Sequence, residues 1–177
     1  MGIEVLPPNI IHMNEEFRLI GKNPTYGMTN VKNVGSSVFR KMINHIKENN
    51  INLAECDWDC FLLLVAPFVN KKAFESLILA GVFDCFKISR SKMQHHFNSI
   101  KEFTKREMEW LKEYKETNPT ATAVDAISEM VVLSKESTKN RPIFRQSRIP
   151  AIEDLLTAYD NPGYDLYDSP SWLSKVE

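Results

Sequence analysis

The spacing of apolar residues along the chain predicts a mainly helical protein. Several segments repeat apolar residues every three or four positions, as amphipathic helices do. These segments lie at about 36–47, 57–65, 71–80, 90–116, 121–135 and 151–159. In the first of them Phe39, Met42 and Ile46 share one face, which we expect to be buried.

The chain before the first helix has a different pattern. Two adjacent prolines disfavour a helix, so residues 6–11 are predicted to be extended. A short strand or turn containing Phe17 and Leu19 should follow, and residues 22–27 have the composition of a turn. Towards the other end, residues 138–150 are predicted to form a basic loop.

The segment from Tyr26 to Val38 is typical of the hairpin in a helix-hairpin-helix. Asn33 and Gly35 bracket the tight part of the turn, since glycine and then asparagine best tolerate a positive φ. Val34 is apolar and can fix the turn to a core. Ser36 and Ser37 then open a helix, whose first backbone N–H groups would be available to a phosphate.

Charge is distributed unevenly along the chain, although the formal net charge is only −1. From Phe17 to Lys47 every charged residue is basic, and this stretch contains the hairpin. From residue 151 onward the acids outnumber the bases. A basic surface at the hairpin suits phosphate binding, although it is also compatible with an ordinary solvated face.

A second helix-turn-helix follows the first. Asn70 is placed to cap a helix, Gly81 to end it, and Ser89 to cap a long helix running from about Arg90 to Glu116. The chain therefore is predicted to hold two hairpins in tandem, about forty-five residues apart. The charged end of the long helix is interpreted as solvated scaffolding.

Three cysteines, with no pairing pattern, argue against a disulfide scaffold and favour a reducing cytoplasm. Cys56 and Cys60 would share a helix face, but no second ligand pair follows at zinc spacing, and His95 and His96 would point apart. No metal site, signal peptide or membrane span is therefore expected.

Four pieces of the chain, taken in order, resemble the bacterial replicative DNA polymerase III alpha subunit. Val5–Ile10 resembles its Leu-Pro-Pro-Asp-Ile stretch, and Met28–Gly35 its Gly-Leu-x-x-Ile-Lys-Gly/Asn-Val-Gly hairpin. Val69–Asp84 resembles its Val-Asn-Lys-Arg-x-x-Glu-x-Leu-Ile-x-Ala-Gly-Ala-Phe-Asp segment, and Arg90 stands where the family opens its next helix with arginine. Asn33 departs from the glycine variant of the hairpin, and we expect it to preserve the turn.

This resemblance implies an all-α fold with a tandem helix-hairpin-helix domain, a short extended N-terminal segment and an irregular C-terminal tail. The expected regions are 1–25, the end of a fingers-like segment; 26–105, the hairpin domain; 106–160, a helical extension; and 161–177, a linker towards an OB domain. The palm aspartates that bind magnesium in the complete polymerase have no counterpart here, so no catalysis and no cofactor are expected of this chain.

The resemblance also implies partners: duplex primer-template DNA, the remaining parts of the polymerase and the sliding clamp. DNA contacts are expected from Lys32, Asn33, Val34, Gly35, Ser36, Ser37, Lys41, Lys71, Lys72 and Arg90. The family's clamp motif begins with glutamine followed by aliphatic and aromatic residues. Gln146 and Ile149 stand in about that place, without the aromatic end.

Two other functions remain open at this point. DNA glycosylases also use a helix-hairpin-helix, but they place a catalytic aspartate beyond a Gly/Pro-rich loop, and that loop is not found after Gly35. A protein-interaction or clamp-docking adaptor without DNA binding of its own would use the hairpins for packing. A base-excision assay on damaged duplex tests the glycosylase function. Lys32→Glu separates the adaptor from DNA binding, because it should weaken duplex binding only if the hairpin binds DNA.

Overall fold

A computed structural model describes residues 2–136 and 145–159 and confirms the mainly α-helical fold. Its helices are α1 Ser36–Glu48, α2 Trp58–Leu64, α3 Lys71–Leu79, α4 Arg90–Lys101, α5 Lys105–Thr117, α6 Ala123–Glu136 and α7 Ile149–Tyr159. Two short strands, β1 Arg18–Ile20 and β2 Asn23–Thr25, precede α1.

The described residues form two compact units. The first contains residues 2–58 and 68–94, and the second contains 59–67, 95–136 and 145–159. Both predicted hairpins belong to the first unit. The expected regions 26–105 and 106–160 remain a prediction, and the expected linker 161–177 lies outside the described residues.

A small antiparallel sheet replaces part of the predicted turn before α1. Leu19 lies in β1 opposite Pro24 of β2, so the strand prediction is confirmed while the turn prediction is wrong for β2. The extended segment at Leu6 explains the difference. Leu6 donates its N–H to the Pro24 carbonyl at 2.8 Å and accepts from the Tyr26 N–H at 3.1 Å, which holds β2 extended.

The core of the first unit is formed where the apolar pattern placed it. On α1 the buried residues are Phe39, Met42, Ile43 and Ile46, all on one stripe. On α3 the Asn70 side chain caps the helix by accepting from the Ala73 N–H at 3.2 Å, as predicted. Phe74 stacks on Phe83 with ring centroids 4.9 Å apart, which ties α3 to the turn that follows it.

The predicted long helix from Arg90 to Glu116 is wrong, because two helices occupy it. The first ends at Lys101, and Thr104 caps the second. The Thr104 hydroxyl accepts from the Glu107 N–H at 3.3 Å, and the Glu107 carboxylate accepts from the Thr104 N–H at 2.8 Å. This reciprocal capping box satisfies two helix-end donors and makes a new start more favourable than continuation.

The second unit is held by buried charges, so its charged helix is more than solvated scaffolding. Glu107 is only 2% exposed and accepts two hydrogen bonds from the Arg148 guanidinium, at 3.0 and 2.9 Å. Burial alone raises the pKa of Glu107, but the bonds from Arg148 and Thr104 outweigh it and lower that pKa below its usual value. Lys115 is also buried and donates to the Pro119 and Ala121 carbonyls.

The predicted basic loop is only partly described. Residues 137–144 lie outside the described part, whereas Gln146–Arg148 form a 3₁₀ turn that leads directly into α7. That helix begins two residues earlier than predicted, with Pro150 in its first turn, where proline needs no donor.

The cysteines also differ from expectation. Cys56 and Cys60 are disulfide-bonded, whereas Cys85 is free.

Candidate nucleic-acid interface

The first hairpin is a short, well-defined turn between a 3₁₀ turn and α1. The 3₁₀ turn spans Met28–Asn30, and the Val34 N–H then donates to the Val31 carbonyl at 3.1 Å. Asn33 has a φ of +64°, the left-handed conformation usually taken by glycine. Its side-chain amide suits that region better than other side chains do, so the expectation that Asn33 preserves the turn is confirmed.

The start of α1 exposes backbone donors. Gly35 occupies the N-cap position in an extended conformation and has no side chain with which to cap the helix. A Cβ built at Gly35 would meet nothing within 4 Å, so the approach to this turn is open. The first main-chain bond into the helix is from the Phe39 N–H to the Gly35 carbonyl at 3.0 Å. The backbone N–H groups in the first turn of α1, before Phe39, therefore have no acceptor within the helix.

Exposed lysines lie near the starts of α1 and α3. Lys32 precedes Asn33, and Lys41 lies one helical turn after Ser37 on the same face of α1; both are exposed. Lys71 and Lys72 form the exposed first turn of α3, which contains no acidic residue. Cations at a helix N-terminus oppose the helix dipole, so they favour a nearby anion rather than the helix itself.

The second hairpin repeats the backbone of the first. Lys87 has a φ of +57°, and it is followed by an aliphatic residue, the cap Ser89 and the start of α4. Lys87 therefore occupies the position that Asn33 has in the first hairpin. It is exposed, and it was not among the candidate residues predicted from the sequence. The run from Lys87 to Ser89 could have identified it, because that run parallels Asn33 to Gly35.

The two hairpins differ at their helix starts. The Ser89 hydroxyl accepts from the Lys92 N–H at 3.2 Å, so α4 is capped by its own chain. Gly35 cannot do the same for α1. The first hairpin therefore leaves more of its backbone donors to an incoming anion.

Arg90 closes the second hairpin. Its guanidinium donates to both carboxylate oxygens of Asp84, at 3.0 and 2.6 Å, and to the Leu79 carbonyl at 2.8 Å. Gly81, with a φ of +79°, lies directly beneath this pair. The expected phosphate contact by Arg90 therefore has to compete with contacts inside the protein.

The first hairpin rests on α3. The Asn33 side-chain amide donates to the Ser76 hydroxyl at 3.1 Å, so the turn residue is held from the helix of the second hairpin. A cleft of about 530 Å³ lies beside this contact. Its lining includes Tyr26, Lys32 and Leu79.

A segment before β1 crosses the start of the first hairpin. The Asn14 and Glu15 carbonyls accept from the Met28 and Thr29 N–H groups, at 3.0 and 3.1 Å, and we call residues 13–16 the strap. Gly27 is required beneath the strap, because a Cβ there would overlap the Glu15 and Glu16 main chain.

The strap also brings an acid to α1. The Glu15 carboxylate pairs with Arg40 at 3.3 Å. A hydrogen bond from the Ser36 hydroxyl, followed by the Arg40 contacts, lowers the pKa of Glu15 below its usual value despite the opposing effect of desolvation. Arg40, part of the basic stretch in the sequence, is therefore neutralised by an acid just outside that stretch.

The two candidate clamp residues lie in the second unit. Gln146 is exposed in the 3₁₀ turn, whereas Ile149 is half-buried as the first residue of α7. Phe144, the neighbouring aromatic residue, lies outside the described residues.

Residues 2–136 and 145–159 contain neither a metal-binding cluster nor a membrane-spanning helix. Within these ranges no group of three or more His, Cys, Asp or Glu side chains is placed to hold a metal ion. No helix in the same ranges has the length and apolar character needed to cross a bilayer.

Comparison with known families matches residues 2–93, more than half of the chain, to a model described as "Helix-hairpin-helix motif". This chain belongs to the helix-hairpin-helix family. The match covers both hairpins, since the first lies before α1 and the second ends at the start of α4.

The chain is also similar to known proteins. It is 33% identical over 86 residues to "DNA polymerase III subunit alpha" of Thermus aquaticus, covering 49% of this chain and 7% of that protein. It is 37% identical over 90 residues to the protein of the same name from Mycobacterium leprae, covering 50% and 7%. The Chlamydia trachomatis protein is 29% identical over 109 residues, covering 60% and 8%. The resemblance drawn from the sequence is therefore confirmed, and the chain spans less than a tenth of these relatives' length.

Proposed function

We propose that this chain is a non-catalytic part of a replicative DNA polymerase that binds duplex DNA through its phosphates, without reading sequence. The carrying observation is the first hairpin, where Asn33 adopts the left-handed turn and Gly35 leaves the start of α1 open. The family match over residues 2–93 and the similarity to DNA polymerase III alpha subunits support placing this hairpin in replication.

The chemistry of the hairpin suits phosphate rather than bases. Backbone N–H groups at a helix start and exposed lysines are donors and cations, which phosphate oxygens accept equally for any sequence. Lys32 and Lys41 flank the α1 start, and Lys71 and Lys72 supply further charge at α3. A polymerase that moves along its product needs contacts of this uniform kind.

The second hairpin contributes in a different way. Lys87 offers a cation at the position equivalent to Asn33, whereas Ser89 and Arg90 are used to cap and close the turn. In this proposal Arg90 positions the second hairpin, and its charge is balanced by Asp84. Val34, Ser36 and Ser37 complete the first hairpin.

A protein-interaction role is the second candidate, and one observation favours it. Large apolar side chains are exposed in the N-terminal part of the first unit: Ile3, Ile11, Phe17 and Leu19. Such residues suit contact with the remaining parts of the polymerase. Clamp binding by Gln146 and Ile149 belongs to the same candidate, in which the hairpins would serve packing alone.

Fluorescence anisotropy with unrelated duplexes, at low and moderate salt, tests the DNA proposal. The test variant is Lys32→Glu/Lys41→Glu, and the matched control is Lys105→Glu/Arg106→Glu, which makes the same charge change at exposed positions of the second unit. We expect salt-sensitive, sequence-independent binding that the test variant loses and the control largely keeps.

Equal losses in both variants would mean that only overall charge matters, and would reject the hairpin as the binding site. Absence of binding at low salt would reject DNA binding by this chain and favour the interaction role. A matched single strand should bind more weakly than the duplex.

A further inference from the structure

We propose that Glu15 limits the affinity of the first hairpin for DNA, by holding its own carboxylate against Arg40 near the start of α1. The inference rests on the proposed function. It adds that the strap, through Glu15, lowers the affinity of the hairpin for DNA.

The contacts of Glu15 place a negative charge beside the open turn. Its carboxylate pairs with Arg40, which lies one turn into α1, at 3.3 Å. The hydroxyl of Ser36, the first residue of α1, is the main cause that lowers the pKa of Glu15. The backbone N–H groups next to Gly35 are those proposed to hold phosphate. A carboxylate at this position repels an arriving phosphate and satisfies part of the local positive potential.

The strap fixes the main chain of Glu15 but leaves its side chain room to move. The Glu15 carbonyl accepts from the Thr29 N–H at 3.1 Å and from the Thr29 hydroxyl at 2.5 Å. Its side chain keeps 26% of its exposure, and that of Arg40 keeps 69%. The carboxylate can therefore turn outward when phosphate arrives, while the strap stays in place.

The pairing with Arg40 gives Glu15 a second effect on DNA affinity. While it pairs with Glu15, its charge is unavailable to DNA; once the carboxylate is removed, Arg40 becomes a further cation at the hairpin. Removing the charge of Glu15 should therefore both relieve repulsion and add one phosphate contact. The second change is measurable, because each added contact steepens the dependence of log K on log salt by about 0.9.

The experiment compares Glu15→Gln with Glu16→Gln in the full chain. Glutamine keeps the size and the acceptor oxygen of glutamate and removes only the charge. Glu16 is the next residue and is exposed, so its variant makes the same change in net charge beside the site. We expect Glu15→Gln to bind duplex about fivefold more tightly than the unchanged protein at low salt, with the salt slope steeper by about one unit. Glu16→Gln should change affinity by less than twofold.

A second measurement reads the site without DNA. Inorganic phosphate is titrated while the backbone amide NMR signals of residues 35–37 are followed. In Glu15→Gln these signals should shift at several-fold lower phosphate concentration than in the unchanged protein.

The outcomes separate this inference from the proposed function. Duplex binding that depends on Lys32 but is equal in Glu15→Gln and Glu16→Gln would overturn the role of Glu15 and leave the proposed function standing. A lower phosphate requirement in Glu15→Gln, with no duplex binding by any variant, would overturn DNA binding and with it the effect of Glu15 on DNA affinity. The inference would be overturned if Glu15→Gln changed neither the phosphate dependence of the amide signals nor the affinity for duplex.

Discussion

Asn33 and Lys87 adopt the same left-handed backbone, with φ of +64° and +57°, at equivalent positions of the two hairpins. Neither is glycine, the residue that takes this conformation most easily. Asparagine tolerates a positive φ, and the Asn33 side chain also donates to Ser76. Lys87 has the same backbone conformation and carries a long, exposed, cationic side chain. The strained position of each turn therefore also carries a polar group.

Asn33→Ala should destabilise the first unit by about 1 kcal/mol more than Asn33→Gly does. Both variants lose the bond to Ser76, so their difference isolates the cost of a Cβ at positive φ. Urea unfolding of the two variants measures this difference. Equal stabilities would show that the turn relaxes to another backbone conformation.

Gly81→Ala should be more destabilising than Gly21→Ala. Both glycines have positive φ, so both substitutions cost about 1 kcal/mol in backbone strain. At Gly81 the added Cβ would also lie 2.5 Å from an Arg90 guanidinium nitrogen, whereas Gly21 has open space. Displacing that charged contact should add about 1–2 kcal/mol, measured by urea unfolding. A similar loss in both variants would show that Arg90 moves at no cost.

Lys87→Glu should weaken duplex binding if the second hairpin also faces DNA. We expect a uniform loss across sequences and a salt slope shallower by about one unit. Lys22→Glu is the matched control, because Lys22 is an exposed turn lysine before β2. An unchanged salt slope in Lys87→Glu would assign the second hairpin to packing alone.

The Glu107–Arg148 pair should make the second unit sensitive to acid. The folded-state pKa of Glu107 is below its unfolded value, so the pair's stabilisation is present above the usual glutamate pKa of about 4.5 and is lost as pH falls through the folded pKa. Breaking a fully buried pair costs about 3–5 kcal/mol near neutral pH, and the partial exposure of Arg148 places this pair towards the lower end of that range. Urea unfolding of Glu107→Gln at pH 7 and pH 3 measures both effects.

In the unchanged protein we expect a steep loss of stability between these pH values. In Glu107→Gln that loss should be smaller, because the titrating group has been removed. The same pH dependence in both proteins would mean that other carboxylates dominate acid unfolding.

The helices that sequence predicted well are those whose signals are local. The apolar stripe of α1 and the cap Asn70 of α3 depend on residues within the same helix, so spacing alone places them. The break between α4 and α5 was also local, since Thr104 and Glu107 form a capping box. It was missed because both lie in a run of charged residues that favours a continuous helix.

Other features depend on distant partners and could not be predicted from one segment. β2 is extended because Leu6 bonds to Pro24 and Tyr26, on either side of Thr25. Arg40 is neutralised by Glu15, which lies far away in the chain. Arg90 looked like a phosphate ligand because its partner Asp84 lies across a turn whose closure only the fold reveals. The hairpin turn itself was predictable, because Asn33 and Gly35 are residue types that tolerate the backbone conformations of a tight turn.

The contact beneath the strap gives a way to recognise it in other proteins. At Gly27 the crowding comes from main-chain atoms of Glu15 and Glu16, which every residue type possesses. No exchange of strap side chains can make room for a Cβ there. A relative that carries an alanine or any larger residue at this position must route its preceding segment differently, whatever the rest of its hairpin looks like. Glycine at this one position is therefore needed wherever a segment crosses the hairpin by this route, whatever side chains that segment carries.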